Sequence, residues 1–158
     1  MLKVSRKISV TLSLVLAFIV GVGGVVGAFF MPAIVEKLID TRNVPGSIEF
    51  ILPDSFQLLL FVLAYVALVC ILCADVLMIL LLLRVRNGKV FTKKSVSYIR
   101  GVSWCCMLFG VTFAAIGLYF FIGFVVSGLA FFLGLCLRVV KNVIEEATDI
   151  KSENDLTV

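Results

Sequence analysis

Residues 101–137 contain no charged side chain, and arginines mark both ends of the run, Arg100 before it and Arg138 after it. One spanning helix needs about 20 apolar residues, or about 25 when strongly tilted. Thirty-seven residues are too many for one crossing and suit two helices joined by a very tight turn. Such a hairpin enters a membrane and leaves it on the side it entered. The composition agrees. The chain is 62% hydrophobic and 15% charged, with a mean hydropathy of +1.21, whereas soluble domains carry about 25% charged residues. No segment alternates as the strands of a membrane barrel do. The expected fold class is all-α: an integral membrane four-helix bundle forming a single domain, residues 1–158.

The spans read at about 9–31, 55–83, 97–118 and 122–141. A short basic start (Lys3, Arg6, Lys7) precedes the first; its apolar run is far longer than the 7–15-residue core of a signal peptide. Gly21, Gly23, Gly24 and Gly27 crowd the second half of that span. Gly23 and Gly27 form a small-xxx-small pair of the kind that lets helix backbones approach closely in lipid. The pair serves either packing within the bundle or a homo-oligomer. Residues 36–54 form the long loop, with a turn at 43–47, and residues 35–39 extend the first helix by a turn. Gln57 reads as interfacial. Residues 84–100 carry Arg84, Arg86, Lys89, Lys93, Lys94 and Arg100 and no acid. Asn87-Gly88 is a turn dipeptide. Thr92 reads as the N-cap of the third helix, with Phe91 and Val96 at the spacing of a hydrophobic staple. The hairpin tip is expected between Gly117 and Gly123. Gly110 with Ala114, and Gly123 with Ser127, offer small faces for packing. Beyond Arg138 and Lys141 the fourth helix is expected to continue into water as an extension.

Four spans place the N-terminus, the 84–100 segment and the C-terminal segment on one side. These hold three, six and three Lys/Arg, against two in the long loop. Lys and Arg in short loops are retained in the cytoplasm. Both termini are therefore expected inside, with a cytoplasmic loop at 84–96 and a cytoplasmic tail at 142–158.

Asp75 is the one acid deep inside a span. A carboxylate in hydrocarbon is costly and usually faces a bundle interior or marks an ion path. At a rise of about 1.5 Å per residue it sits roughly 12–14 Å from Arg84, level with the hydroxyls of Thr11 and Ser13 and, more loosely, Thr112. It reads either as a structural, neutral acid bonded to a hydroxyl or as the centre of a proton-coupled pathway. Five cysteines, Cys70, Cys73, Cys105, Cys106 and Cys136, lie in apolar runs. By the same rise the first two sit about 15–20 Å from Arg84, and Cys105 and Cys106 about 8–9 Å from Arg100. That separation opposes a shared metal site. The chain has no histidine, no nucleophile–base pair and no phosphate-cradling loop. No cofactor, no metal, no direct nucleic-acid contact and no enzymatic activity are expected. The acids Glu145, Glu146, Asp149, Glu153 and Asp155 do not follow from topology. They are expected to fold the tail back onto residues 84–94, aided by Ile144, Ile150 and Leu156.

Two stretches carry a resemblance. Asn87-Gly-Lys-Val-Phe-Thr-Lys-Lys-Ser-Val-Ser-Tyr-Ile-Arg100 and Val143-Ile-Glu-Glu-Ala-Thr-Asp-Ile-Lys-Ser-Glu-Asn-Asp-Leu-Thr-Val158 resemble an uncharacterised bacterial family of small four-span membrane proteins. Members carry a Gly-x-x-Phe-Thr motif before the third span and an acidic C-terminal helix. Their genes are often beside one for a Cro/repressor-type helix-turn-helix regulator. The resemblance implies a partner-binding face made of Phe91, Thr92, Lys93 and Lys94 with Glu145, Glu146, Asp149, Glu153 and Asp155. It implies that the partner is the regulator. Asp75 belongs to neither motif.

Overall fold

The computed structural model describes residues 6–42, 55–88, 91–118 and 120–156. Four helices fill them: α1 Arg6–Arg42, α2 Ser55–Arg86, α3 Lys93–Gly117 and α4 Ile122–Leu156. Each contains a stretch long and apolar enough to cross a membrane. The shortest, α3 with 25 residues, spans about 37 Å at the helical rise, against a hydrocarbon core of about 30 Å. The turn expected at 43–47 lies outside the described residues. So do Lys3 and Lys89, and the side chains of Gln57, Asp155 and Leu156.

The ends of the helices have local causes. Thr92 is extended (φ −142°, ψ 146°), and its Oγ1 accepts from the backbone N–H of Ser95, so it is the N-cap of α3. Gly88 ends α2 in the left-handed region at φ +72°, donating its N–H to the Val85 carbonyl. A side chain there costs about 1–2 kcal/mol through the backbone alone. The first helix continues past the expected span, as the extension over 35–39 required: α1 passes through Pro32 to Arg42. Proline forfeits the bond to the carbonyl four residues back. Packing on the far side holds the helix together, since Val35 (4% exposed) meets Leu60 of α2 (2%) in a cluster joined by Met31, Phe61 and Ala64.

Neighbouring helices run antiparallel. In the α1–α2 seam Gly21 lies against Asp75 and Gly24 against Leu72, and Val35 against Leu60. Between α2 and α3, Arg84 covers Tyr98 and Leu77 covers Gly101. Among the described residues the helices meet in chain order only, α1 on α2, α2 on α3 and α3 on α4. The starts of α1 and α3 and the end of α2 share what is called here the basic end; the α3–α4 turn lies at the hairpin end. Outward surfaces are apolar, with Phe29 and Phe121 each 81% exposed, as suits lipid and not water.

The α3–α4 seam is the closest. Ser103 on α3 donates to the Gly134 carbonyl of α4, and Ser127 on α4 donates to the Gly110 carbonyl of α3, both at 2.8 Å. At the tip Gly117 and Gly123 touch backbone to backbone. A Cβ on Gly123 would lie 2.6 Å from the Gly117 nitrogen, and one on Gly117 would lie 2.7 Å from the Phe124 nitrogen. The obstructing atoms are main chain and cannot swing aside. Gly123→Ala is therefore expected to destabilise the chain by about 1–3 kcal/mol, the usual cost of overpacking, whereas Gly128→Ala, at a position with nothing within 4 Å, leaves it unchanged. Reversible unfolding in mixed micelles measures both.

Candidate functional site

The basic end gathers most of the polar side chains. Thr92 sets the first turn of α3, which leaves Lys93 and Lys94 exposed beside Phe91, itself 47% exposed. Ser95 turns inward and is 1% exposed, its hydroxyl 2.9 Å from that of Thr92. Because α4 is antiparallel to α3, residues 141–149 lie alongside 93–100. Glu145 is the junction. Its carboxylate lies 2.6 Å from Lys141 Nζ, one turn earlier on α4, and 3.3 Å from Arg100 Nη2 on α3. A groove of about 400 Å³ follows, lined by Lys93, Ser97, Arg100, Glu145 and Asp149 among others. Thr148 closes the seam, 8% exposed, its hydroxyl bonded to the Ile144 carbonyl at 2.7 Å.

The opposite face of the α4 extension is exposed. Glu146 and Glu153 lie on it two turns apart, and Asp149, one turn from each, stands at its edge and also lines the groove. Val143 (61% exposed) and Ile150 (55%) lie beside it. The expected helical extension is present: α4 continues as an unbroken helix to Leu156 and meets the start of α3 side by side. Across the seam Glu145 pairs with Arg100, and of the 84–94 segment Lys93 lines the groove with Glu145 and Asp149. Ile150 does not join the packing, and Ile144 is half-buried.

Asp75 is placed differently from expectation. Its carboxyl lies over Gly21, where a Cβ would come 2.5 Å from Oδ2, so the Gly21 Cα–H points at a carboxylate oxygen. Thr11 and Ser13 are more than about two turns away along α1, and the Thr112 hydroxyl is bonded to the Phe109 carbonyl in its own helix. The depth estimate failed because α1 begins further out than the level of Arg84. The glycines divide likewise. Gly21 and Gly24 face α2, while Gly23 and Gly27 have nothing within 4 Å, so packing on a neighbour within the chain does not account for that pair. The cysteines are all free thiols. With Leu77 on Gly101, Cys73 and Cys105 lie one turn deeper at a common level. The separation inferred from Arg84 and Arg100 does not hold, since Arg84 reaches Tyr98 and the two arginines mark different depths. Among the described residues no group of three or more His, Cys, Asp or Glu is placed to hold a metal ion.

Two features were not anticipated. One is the Arg100–Glu145–Lys141 junction; the other is Arg138, whose guanidinium carbon sits 4.8 Å from the centroid of the Trp104 ring. A signal existed: Arg100, Ser103 and Trp104 on α3, and Arg138, Lys141 and Asn142 on α4, each follow the i, i+3, i+4 spacing of one helix face.

Four spanning helices with polar side chains concentrated at one end define a multi-pass membrane protein, and lipid is the environment its exposed apolar surface requires. The family model for a protein of unknown function (DUF2975) matches residues 5–158, and the chain belongs to that family. Nothing matches it among the curated proteins or among the solved structures.

The hydrogen bond from Lys141 above all, and the charge of Arg100, hold the Glu145 carboxyl below the usual carboxylate range. A depressed folded-state value stabilises the junction above the unfolded value of about 4.3, and the contribution is lost as pH falls through the lower, folded one. Hydrogen exchange in residues 142–153 is expected to quicken below about pH 4 relative to exchange-corrected controls. Glu145→Gln removes that pH dependence and gives the faster rate throughout.

Proposed function

We propose that the chain is a membrane-embedded interaction protein, not an enzyme, that binds or sequesters a small transcription regulator through the α4 extension and the 84–96 segment. The observation that carries this reading is the exposed acidic face of the extension. Glu146 and Glu153, with Asp149 at the edge, run beside exposed Val143 and Ile150, a pairing of charge and apolar surface that a basic, amphipathic partner would complement. Phe91, Thr92, Lys93 and Lys94 stand at the start of α3, across the seam from the extension, and Asp155 belongs to the same acidic series in the sequence. The Lys/Arg count supports both termini in the cytoplasm, and the resemblance carried by residues 87–100 and 143–158 supports a bacterial inner membrane. The basic DNA-contacting face of a helix-turn-helix regulator would complement the acidic stripe.

Co-purification of the regulator from detergent tests this. Deleting residues 145–158 is expected to abolish binding, and Glu146→Gln with Asp149→Asn and Glu153→Gln to weaken it at least ten-fold. Retained binding by both variants would end the reading.

One observation favours a second reading, a proton-coupled transporter or ion pathway: the Asp75 carboxyl lies in the α1–α2 seam at the level of a glycine. Asp75→Asn in proteoliposomes would then abolish flux and spare regulator binding, while the 145–158 deletion would do the reverse. We also assign Gly23 and Gly27 to a homo-oligomer contact, because their face of α1 is open. Replacing both with leucine is expected to remove a cross-linked dimer in membranes.

A further inference from the structure

We infer that the groove between α3 and α4 at the basic end is a binding site for the phosphate of an anionic membrane lipid. The groove has a volume of about 250 Å³ and is lined by Arg100, Ser103, Trp104, Arg138, Lys141 and Asn142. Three cations therefore converge on it. Glu145 is the one carboxylate shown at the junction, and it is shared by two of them, Arg100 and Lys141. The cluster keeps an excess of two positive charges, and a second anion relieves their repulsion.

Arg138 is the cation best disposed to meet that anion. It is exposed and stacks on Trp104. A guanidinium lying over an aromatic face keeps its in-plane N–H groups available, in the fork geometry that suits phosphate oxygens. The Lys141 side chain is 16% exposed and is fixed by its bond to Glu145, so its charge is held in place and not free to follow solvent. Ser103 is occupied by the Gly134 carbonyl and shapes the floor.

The position of the groove identifies the phosphate as a lipid's. Trp104 is the only tryptophan in the chain, and tryptophan favours the headgroup level of a bilayer. One and two turns deeper on the same face of α3, Leu108 and Val111 are 54% and 56% exposed, an apolar strip for acyl chains directly below the cations. Basic pockets between spanning helices at a membrane boundary take anionic headgroups on this principle. The inference is independent of any regulator, since every residue in it belongs to the α3–α4 seam and not to the outward stripe.

Trp104 also supplies the readout. The purified full chain in a neutral detergent would be titrated with phosphatidylglycerol, phosphatidylcholine and inorganic phosphate, and the tryptophan emission followed. A saturable change with phosphatidylglycerol, and none with the other two at the same concentrations, is expected. Arg100→Gln and Lys141→Gln keep the Trp104–Arg138 pair, and each is expected to weaken the apparent affinity about five-fold, the factor for one cation near anionic lipid. Arg138→Lys keeps the charge but not the fork and should bind between wild type and Arg138→Gln. Lys37→Gln, at the other end of the molecule, should bind as wild type does. An equal response to phosphatidylcholine would show a non-selective lipid surface. An equal response to inorganic phosphate would show an anion site without lipid. A loss in Lys37→Gln matching that in Arg100→Gln and Lys141→Gln would show net charge acting alone. Any of these results overturns the inference.

Discussion

Lipid gives helices no hydrophobic reason to associate, because a neighbouring acyl chain is as apolar as a neighbouring leucine. The structure depends on what replaces that drive: places where side chains are small enough for backbones to touch. Small and hydroxyl-bearing side chains make up much of what is buried, Ala17, Ala67 and Ala130 with Ser95, Ser103, Ser127, Thr112 and Thr148, beside Val35, Leu60, Val96, Ile99 and Val102. The reciprocal bonds of Ser103 and Ser127 are possible only because Gly134 and Gly110 bring each carbonyl within reach. Bulk is displaced to the outside, where the phenylalanines meet lipid.

At the basic end the same two helices continue into water, and the chemistry of their seam changes with the solvent. Glycine and serine give way to Lys141, Glu145 and Thr148 opposite Ser95 and Arg100. Exposed ion pairs contribute little to stability, and Glu145 is not expected to hold α3 and α4 together unaided. Its effect is arrangement. It fixes Arg100 and Lys141 next to each other, and so builds the cationic groove beside Trp104 that neither helix carries alone.

Features governed by local rules were legible in the sequence. The charge-free run announced the hairpin and the place of its tip between Gly117 and Gly123, Thr92 the cap of α3, and Asn87-Gly88 the turn before it. Features governed by register were not. Asp75 was assigned to hydroxyls at its supposed depth, because arginines were taken as markers of a common membrane level. Helices that start at different heights make such markers disagree. Gly23 and Gly27 had the sequence spacing of a packing pair, yet Gly21 and Gly24 make the contacts, since the face a helix buries depends on where its neighbour stands. The helical continuation of α4 was legible, but the division of its acids was not: Glu145 turns to Arg100 across the seam while Glu146 is exposed on the other side, because which face packs depends on where α3 stands.

That continuity bears on how the extension works. On α4 the inward positions Ser127, Ala130 and Gly134 are followed by Lys141, Glu145 and Thr148, spaced by three, four or seven residues. One helix face thus runs without interruption from lipid into water. The rotation of the extension about its own axis is set by a seam whose tightest contacts lie inside the membrane. Glu146 and Glu153 face outward because Ser127 and Gly134 face inward. A rotation of α4 about its axis within the bilayer would turn this face with it. At the lipid site proposed above, headgroup contacts at Arg138 and Lys141 would act at the point where the two stretches join.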